Sequence, residues 1–222
     1  MKLSDKTLER LGWAVTLLLP VLILMIAVRL TISPIFAKIE YRMPGFPEDT
    51  YGFSLQDRLK WSAPSIKYLV NFEGIDYLGA MKFEDGTPIY NASELSHMED
   101  VKAVVTGMRI GMAVSIVLVA LFAVLCIKSS RKDILLTALM RGGWALIGLI
   151  VMILLFVAIS FDNLFTWFHK LFFESGTWQF YMSDTLIRLF PMRFWQDAFI
   201  FVGCLSLVLG GSVLILGKKL RE

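Results

Sequence analysis

Four long apolar runs divide this chain of 222 residues. They cover residues 11–32, 104–127, 143–168 and 197–217. A helix of about 20 residues crosses the roughly 30 Å of hydrocarbon in a bilayer, and each run is about this long. We therefore predict an all-α integral membrane protein with four transmembrane helices. The first run is longer than the apolar core of a signal peptide and lacks a convincing cleavage site, so we expect an uncleaved anchor.

The segment 33–103 is too long and too regularly patterned for a plain loop. Apolar residues recur between positions 53 and 72, and only Pro64 interrupts them, which predicts one or two short helices. Asp85-Gly86 lies between two short apolar runs, and Asp-Gly in this setting is a strong signal of a β-hairpin. We predict a small α+β cap that contains a hairpin.

Two further patterns refine these boundaries. Asn91 is followed three positions later by Glu94, which resembles a capping box, so the second membrane helix should begin well before residue 104. The segment 169–196 is aromatic and should lie at the membrane interface. It includes a short helix that ends at Pro191.

The basic residues predict the orientation in the membrane. Ten of the 22 lysine and arginine residues lie in three short flanks that a four-helix topology places on one side. Such flanks are cytoplasmic in most membrane proteins. We expect both termini and the loop 128–142 to be cytoplasmic, and segments 33–103 and 169–196 to be extracytoplasmic. The ten residues are Lys2, Lys6, Arg10, Lys128, Arg131, Lys132, Arg141, Lys218, Lys219 and Arg221.

The composition agrees with a membrane protein and argues against some partners. The chain is 56% hydrophobic and its net charge is only +3, without a basic block, so we expect no nucleic-acid partner. Cys126 and Cys204 are the only cysteines, and the predicted topology places them in opposite halves of the bilayer. We therefore expect no disulfide bond.

His97 and His169 are the only histidines, and both lie near the outer ends of predicted helices. At 1.5 Å per residue, His97 lies about 10 Å above the hydrocarbon edge, on a level that His169 can share. Histidine transfers protons readily near neutral pH, and ionisable residues at a membrane boundary are candidates for function. We predict that both are catalytic.

Aromatic residues are concentrated around His169, with 12 between positions 161 and 195. They form either an ordinary aromatic belt at the interface or the lining of a substrate pocket. We favour the pocket because the density is highest beside the histidine. The predicted lining residues are Trp167, Phe168, Phe172, Phe173, Trp178 and Tyr181.

Several charged residues are predicted to support the site. Arg109 and Asp162 fall inside apolar runs, where an isolated charge is costly, so we expect them to form a structural ion pair. Asp100, like Glu94, is three residues from His97 on the helix, so each either orients the imidazole or belongs to a solvated acidic face. Arg188 is the fourth predicted supporting residue.

The motifs of several enzyme classes are missing from the sequence. It contains no Gly-x-Ser-x-Gly or His-Glu-x-x-His motif, and neither cysteine lies beside a histidine. A metal site would need Glu94, Asp100 or Glu174 to complete a set with the histidines. We expect no metal and no cofactor. The histidines favour acid and base catalysis without a covalent enzyme intermediate.

Four motifs together resemble the lipoprotein intramolecular transacylase family of Gram-positive bacteria. They are Leu95-Ser96-His97-Met98-Glu99-Asp100-Val101, Phe165-Thr166-Trp167-Phe168-His169 with Phe172-Phe173, Trp178-x-Phe180, and Asp184-Thr185-Leu186-Ile187-Arg188-Leu189-Phe190-Pro191. The resemblance covers nearly the whole chain. It implies four membrane helices, an extracellular cap and two catalytic histidines.

The resemblance also implies a reaction and its setting. Such an enzyme transfers the sn-2 acyl chain of a diacylglyceryl cysteine to the α-amine of the same cysteine, which produces a lyso-form lipoprotein. The expected partners are diacylglyceryl-modified bacterial lipoproteins and membrane lipid. We expect a monomer in the bacterial cell membrane, with its active site at the extracytoplasmic leaflet.

Three other functions are compatible with parts of the pattern. A lipid or small-molecule transporter would use Arg29, Arg109 and Asp162 along a path, although the inner halves of all four helices are apolar. A structural or partner-binding membrane protein would use the histidines only for packing. A metal-dependent membrane hydrolase would need further ligands.

Overall fold

The computed structural model describes residues 4–222, and Lys2 of the predicted basic flank lies outside them. Within these residues the fold is all-helical, and four of the helices, the first, fifth, sixth and eighth along the chain, are long and apolar enough to cross a membrane. The helices are α1 Asp5–Thr31, α2 Pro34–Glu40, α3 Leu55–Tyr68, α4 Asp76–Gly79, α5 Ala92–Lys128, α6 Lys132–Phe172, α7 Thr185–Leu189 and α8 Met192–Lys219. The exact membrane boundaries, the orientation and the outer position of the cap stay predictions.

The chain divides into two compact units. We call Met1–Arg29, Met108–Phe156 and Ile200–Glu222 the helical body, and Leu30–Gly107 with Val157–Phe199 the aromatic unit. All four long helices contribute residues to both units. The helices α5, α6 and α8 are divided between the units, and only the last residues of α1 belong to the aromatic unit. Ser160 in α6 has non-helical dihedral angles, φ −159° and ψ 74°, so this helix is kinked within the aromatic unit.

The helical body is held by close apolar packing. Leu19, Ile23, Leu146 and Ile150 form one buried cluster. Gly142 lies so close to α1 that a methyl group in its place would be 2.9 Å from the Leu19 side chain. Small residues permit this approach between helices in a membrane, where van der Waals contact drives association.

The aromatic unit contains the short helices α2, α3, α4 and α7. Its buried apolar core joins residues from all of them, together with Met98 of α5 and Phe194 of α8. Polar anchors tie the parts together: the Tyr41 hydroxyl donates to the Leu189 carbonyl at 2.9 Å, and Arg58 Nε donates to the Arg188 carbonyl at 3.1 Å. The predicted short helix before Pro191 corresponds to α7.

The predicted hairpin is not confirmed. Lys82 and Pro88 form an isolated antiparallel bridge, and the amide of Phe83 donates to the Thr87 carbonyl at 2.8 Å. Residues 4–222 contain no strand beyond this bridge. The turn at Asp85-Gly86 therefore forms as its sequence predicts, but the arms do not extend. Pro88 lacks the amide hydrogen that a longer ladder would require.

Helix α5 begins at Ala92, as the capping pattern predicts. The Glu94 carboxylate accepts from the Asn91 amide at 2.8 Å, and the Asn91 side chain accepts from the Glu94 amide at 2.9 Å. These reciprocal bonds satisfy amides that a helix start otherwise leaves unpaired. They determine where the turn that carries His97 begins.

Candidate active site

The two histidines meet inside the aromatic unit. His97 lies in the second turn of α5, and His169 lies in the last turn of α6. Their ring centroids are 6.3 Å apart, with an angle of 23° between the ring planes. Each residue is only 8% exposed. The structure thus brings together the two predicted catalytic residues in a site largely shielded from solvent.

His169 is held in one orientation by its own helix. Its Nδ1 atom lies 2.8 Å from the carbonyl oxygen of Phe165, four residues earlier. A carbonyl only accepts hydrogen bonds, so we assign the proton of the neutral ring to Nδ1. Nε2 then carries the lone pair. The Phe165 ring packs against the imidazole at 4.0 Å and fixes it further.

His97 has a different environment. Its Nδ1 atom is buried and has no hydrogen-bond partner among residues 4–222. Glu94 does not serve it, because its two carboxylate oxygens accept from the amides of Asn91 and Leu186, at 2.8 and 2.7 Å. Asp100 is exposed at the surface of the helix. His97 is therefore positioned by packing, and no residue among 4–222 forms a hydrogen bond with its Nδ1 atom.

Aromatic rings surround the pair. Phe173 lies 4.9 Å from the His97 ring and 5.6 Å from the His169 ring. Trp178 lies 4.8 Å from His169, and Phe168 lies 5.6 Å from it. Phe172 packs on Phe168 at 5.0 Å. Of the predicted lining residues, Phe173, Trp178 and Phe168 contact a histidine directly, and Phe172 lies one ring further out.

Two predicted lining residues lie elsewhere. Trp167 is 70% exposed and Tyr181 is 81% exposed. Trp167 lies two residues before His169 in α6. Because successive side chains of a helix point about 100° apart, these two side chains lie on different faces of the helix. Exposed aromatic side chains at this level are typical of an interfacial belt. The two interpretations of the aromatic segment therefore concern different residues, and the substrate pocket stays a prediction.

Three residues that were not among the predicted site residues also shape the site. Phe165 is one of them, and its spacing of four from His169 on a helix was an available signal. Phe180 packs on His97 at 5.4 Å. Glu94, which is 1% exposed, connects the start of α5 to the start of α7 through the Leu186 amide. No local pattern signals this last contact, because its partners are distant in sequence.

Arg188, one of the predicted supporting residues, is bound to the segment before α3. Arg188 forms an ion pair with Asp49 at 2.9 Å and lies over the Phe53 ring at 3.4 Å, so it anchors the loop before α3. Arg109 belongs to the helical body and Asp162 to the aromatic unit. Their ion pair stays a prediction. Among residues 4–222, no group of three or more His, Cys, Asp or Glu side chains is arranged to hold a metal ion.

Comparison with known proteins identifies the family. The model of the lipoprotein intramolecular transacylase family, Lit, matches residues 13–195, a range that includes both histidines. The chain belongs to this family. An uncharacterized protein of Aquifex aeolicus (strain VF5) is 32% identical to it over 207 residues, which cover 91% of this chain and 92% of the relative.

Solved structures show the same fold. The membrane-integral lipoprotein intramolecular transacylase Lit of Bacillus cereus matches with a TM-score of 0.76 and 19% identity, over 98% of this chain and 97% of that one. A structure of the same enzyme with arginine in place of one histidine matches with a TM-score of 0.73 and 19% identity, over 98% and 96%. Family membership and fold support a multi-pass membrane acyltransferase that processes lipoproteins.

Proposed function

We propose that this chain transfers the sn-2 acyl chain of a diacylglyceryl cysteine to the α-amine of the same cysteine. The product is a lyso-form lipoprotein. The observation that carries the proposal is the pair of buried imidazoles, 6.3 Å apart within a wall of aromatic rings. This arrangement supplies two proton-transfer groups in a site that limits access of water. Water would otherwise compete with the amine for the ester.

The proton count of this reaction requires two transfers. A free α-amine has a pKa of about 8, so at neutral pH the substrate arrives mostly as an ammonium group with three protons. The amide product keeps one of them on nitrogen. One of the other two goes to the departing sn-2 oxygen, and the last is released to water. Two neighbouring imidazoles fit these two steps, because histidine is the side chain that accepts and releases protons most readily near neutral pH.

We assign the two roles from the hydrogen bonds. His169 keeps its Nδ1 proton on the Phe165 carbonyl, so its Nε2 accepts the first proton of the ammonium group. After the amine attacks the ester carbonyl carbon, His169 returns this proton to the sn-2 oxygen as the carbon–oxygen bond breaks. His97 accepts the second nitrogen proton and releases it. Atoms and charges balance without a cofactor or a covalent enzyme intermediate.

The aromatic wall provides the orientation that this reaction needs. Attack of the amine on the sn-2 ester closes a ring of about eight atoms, and such rings close slowly in free solution. A site that holds the two reacting groups together offsets much of this entropic cost, up to about 7 to 11 kcal/mol in well-oriented cases. Phe168, Phe173 and Trp178 provide contact surfaces for the diacylglyceryl group beside the histidines.

The setting in the membrane is part of the proposal. We propose that both termini are cytoplasmic and that the site faces the extracytoplasmic leaflet. The basic flanks at 128–132 and 218–221 support this orientation. A diacylglyceryl lipoprotein has its acyl chains in lipid and its polypeptide in water, and helices α5 and α6 place the histidines near the ends of long apolar segments.

The test is mass spectrometry of the N-terminal lipopeptide of a reporter lipoprotein. The reporter is expressed with the wild-type chain, with His97→Gln or with His169→Gln. Tandem fragments distinguish N-acyl monoacylglyceryl cysteine from diacylglyceryl cysteine. We expect the lyso form with the wild type and a loss of at least about 100-fold in each variant, because general acid–base catalysis contributes about 10² to 10⁴ in rate.

Matched controls separate chemistry from folding. Ser96→Ala and Lys170→Gln change exposed neighbours of the two histidines and should retain activity. Each variant is purified, and its melting temperature is compared with that of the wild type. A wild-type chain that is correctly inserted but leaves the reporter in the diacylglyceryl form contradicts the proposed reaction. Full activity in both folded histidine variants contradicts the proposed mechanism.

A further inference from the structure

Four buried polar side-chain atoms have no hydrogen-bond partner among residues 4–222. They are Glu40 Oε1, His97 Nδ1, Trp178 Nε1 and Ser206 Oγ. Two of the four, on His97 and Trp178, belong to the histidine site. Buried donors without a partner are rare in folded proteins, because each loses its bond to water and gains none. The Trp178 indole is the more telling case, since its N–H group can only donate.

Local contacts hold this indole against the site. Its ring lies 4.8 Å from the His169 ring, at an interplanar angle of 36°. It follows a turn in which the Thr177 hydroxyl donates to the Glu174 carbonyl at 3.0 Å, and Gly176 takes a positive φ of 91°. After it, the Tyr181 amide donates to the Asp184 carboxylate at 2.8 Å. The position of Trp178 is thus defined on both sides along the chain.

The chemistry of the site requires a donor of this kind. When the amine attacks the ester, the new carbon–nitrogen bond moves the carbonyl π electrons onto oxygen, which becomes an oxyanion. His97 and His169 are committed to the protons of nitrogen and of the departing oxygen. A further donor, already in place and shielded from water, would stabilise this oxyanion strongly.

We propose that the Trp178 indole N–H donates a hydrogen bond to this oxyanion, which makes Trp178 a third catalytic residue. The proposal rests on the proposed transacylation. In the next step the electron pair on oxygen restores the carbonyl, the carbon–oxygen bond to the glyceryl group breaks, and the sn-2 oxygen takes its proton from His169. The indole keeps its proton throughout and returns to its starting state.

The experiment removes the N–H group while keeping the ring. Trp178→Phe deletes the donor, and a second variant carries β-(3-benzothienyl)alanine at position 178, in which sulfur replaces N–H with nearly the same shape. Steady-state kinetics use a synthetic diacylglyceryl lipopeptide at defined mole fractions in detergent micelles. We expect kcat to fall by about 100-fold or more in both variants, as when an oxyanion donor is removed elsewhere. KM should change by less than about threefold, because the bond forms only in the transition state.

Trp195→Phe is the matched control. Trp195 packs on Phe165 at 6.2 Å, one ring away from His169, and its indole nitrogen is not among the buried unpaired atoms described above. This variant should retain kcat within about threefold, the spread of a packing change that leaves the donor in place. The melting temperature of every variant is measured, and the benzothienyl variant answers the question even if Trp178→Phe is unstable.

A tetrahedral analogue provides a second measurement. A lipopeptide with a phosphonate in place of the sn-2 ester carbonyl resembles the oxyanion intermediate. It should bind the wild type more tightly than the benzothienyl variant by a factor close to the loss in kcat. An unchanged kcat in a folded benzothienyl variant, or a rise in KM alone, overturns the inference while leaving the transacylase reaction standing. If the wild type produces no lyso form, this result contradicts the proposed function itself.

Discussion

The helical body and the aromatic unit are stabilised by different physical means. In the body, glycines bring backbones close to apolar side chains of other helices: a methyl group on Gly142, Gly143 or Gly203 would lie within 3 Å of a leucine atom. In the aromatic unit, several buried charged groups are held by polar partners, as Asp49 is by Arg188. The packing of the helical body therefore depends on small residue volumes at the helix contacts, whereas the aromatic unit depends on polar pairing.

The difference follows from what each unit must do. Apolar helices in lipid gain little from burying more apolar surface, so tight contact at small residues decides how they pack. The aromatic unit holds charged side chains inside a protein core, where each must find a partner or lose free energy. Glu94 shows the result, since a carboxylate that is 1% exposed accepts two backbone hydrogen bonds.

The largest expected effect is in the aromatic unit, at the ion pair of Arg188 with Asp49. Their side chains are 13% and 4% exposed. Arg188→Ala leaves a buried carboxylate without its cation, which costs about 3 to 5 kcal/mol. We expect a large fall in melting temperature in detergent. Asp49→Asn in the same chain should recover part of the loss, because no buried charge then remains.

The control for this pair is an exposed one in the same unit. Lys60 and Glu84 approach to 3.9 Å, and their side chains are 52% and 96% exposed. Surface pairs of this kind contribute little, so Glu84→Gln should leave the melting temperature unchanged. Equal losses in Glu84→Gln and Arg188→Ala would show that burial does not set the strength of these pairs.

The next largest effect tests the volume limit of the helical body. In Gly142→Ala the new methyl group would lie 2.9 Å from Leu19 Cβ and 3.1 Å from the Thr16 carbonyl oxygen. We expect a cost of about 1 to 3 kcal/mol, as for overpacked cores. Gly148→Ala on the same helix meets no atom within 4 Å and should be neutral or slightly stabilising. Thermal unfolding of the two variants checks this, and equal melting temperatures would contradict it.

The smallest effect depends on pH and concerns Glu40. Burial, a hydrogen bond with Asp197 and the negative charge of Asp197 raise the pKa of this carboxyl to about 7, while the ordinary value is 4.5. The folded state therefore binds more protons than the unfolded chain between these values. Stability from this group is fully present below about pH 4.5 and is lost as the pH rises through 7.

Glu40→Gln should remove this dependence. At pH 8 the variant should unfold at a higher temperature than the wild type, by about 1 kcal/mol in stability, since Arg193 offsets part of the negative charge. At pH 4 the two should be alike. Glu48→Gln, at an exposed acid of the same unit, should show no such change between the two pH values. A Glu40→Gln curve parallel to that of the wild type would contradict the assignment.

Much of the fold and the two histidines of the candidate site could be predicted from the sequence. Lengths of apolar runs determine which helices can span a membrane, and a capping pattern at Asn91 determines where α5 starts, because both are local properties of the chain. The two histidines were identifiable because no other residue type offers protons near neutral pH without a shift. The predicted hairpin is not confirmed, because Pro88 limits the hydrogen bonds that its two arms can form.

The remaining features are long-range, and only the tertiary structure decided them. No local rule brings His97 within 6.3 Å of His169, joins Glu94 to the Leu186 amide, or pairs Arg188 with Asp49. Nor does composition separate Trp178, whose indole nitrogen is buried, from Trp167, which is 70% exposed. Residue type and spacing determined which chemistry was available to this chain. Packing of distant segments decided which of those groups meet, because burial and contact depend on the whole fold.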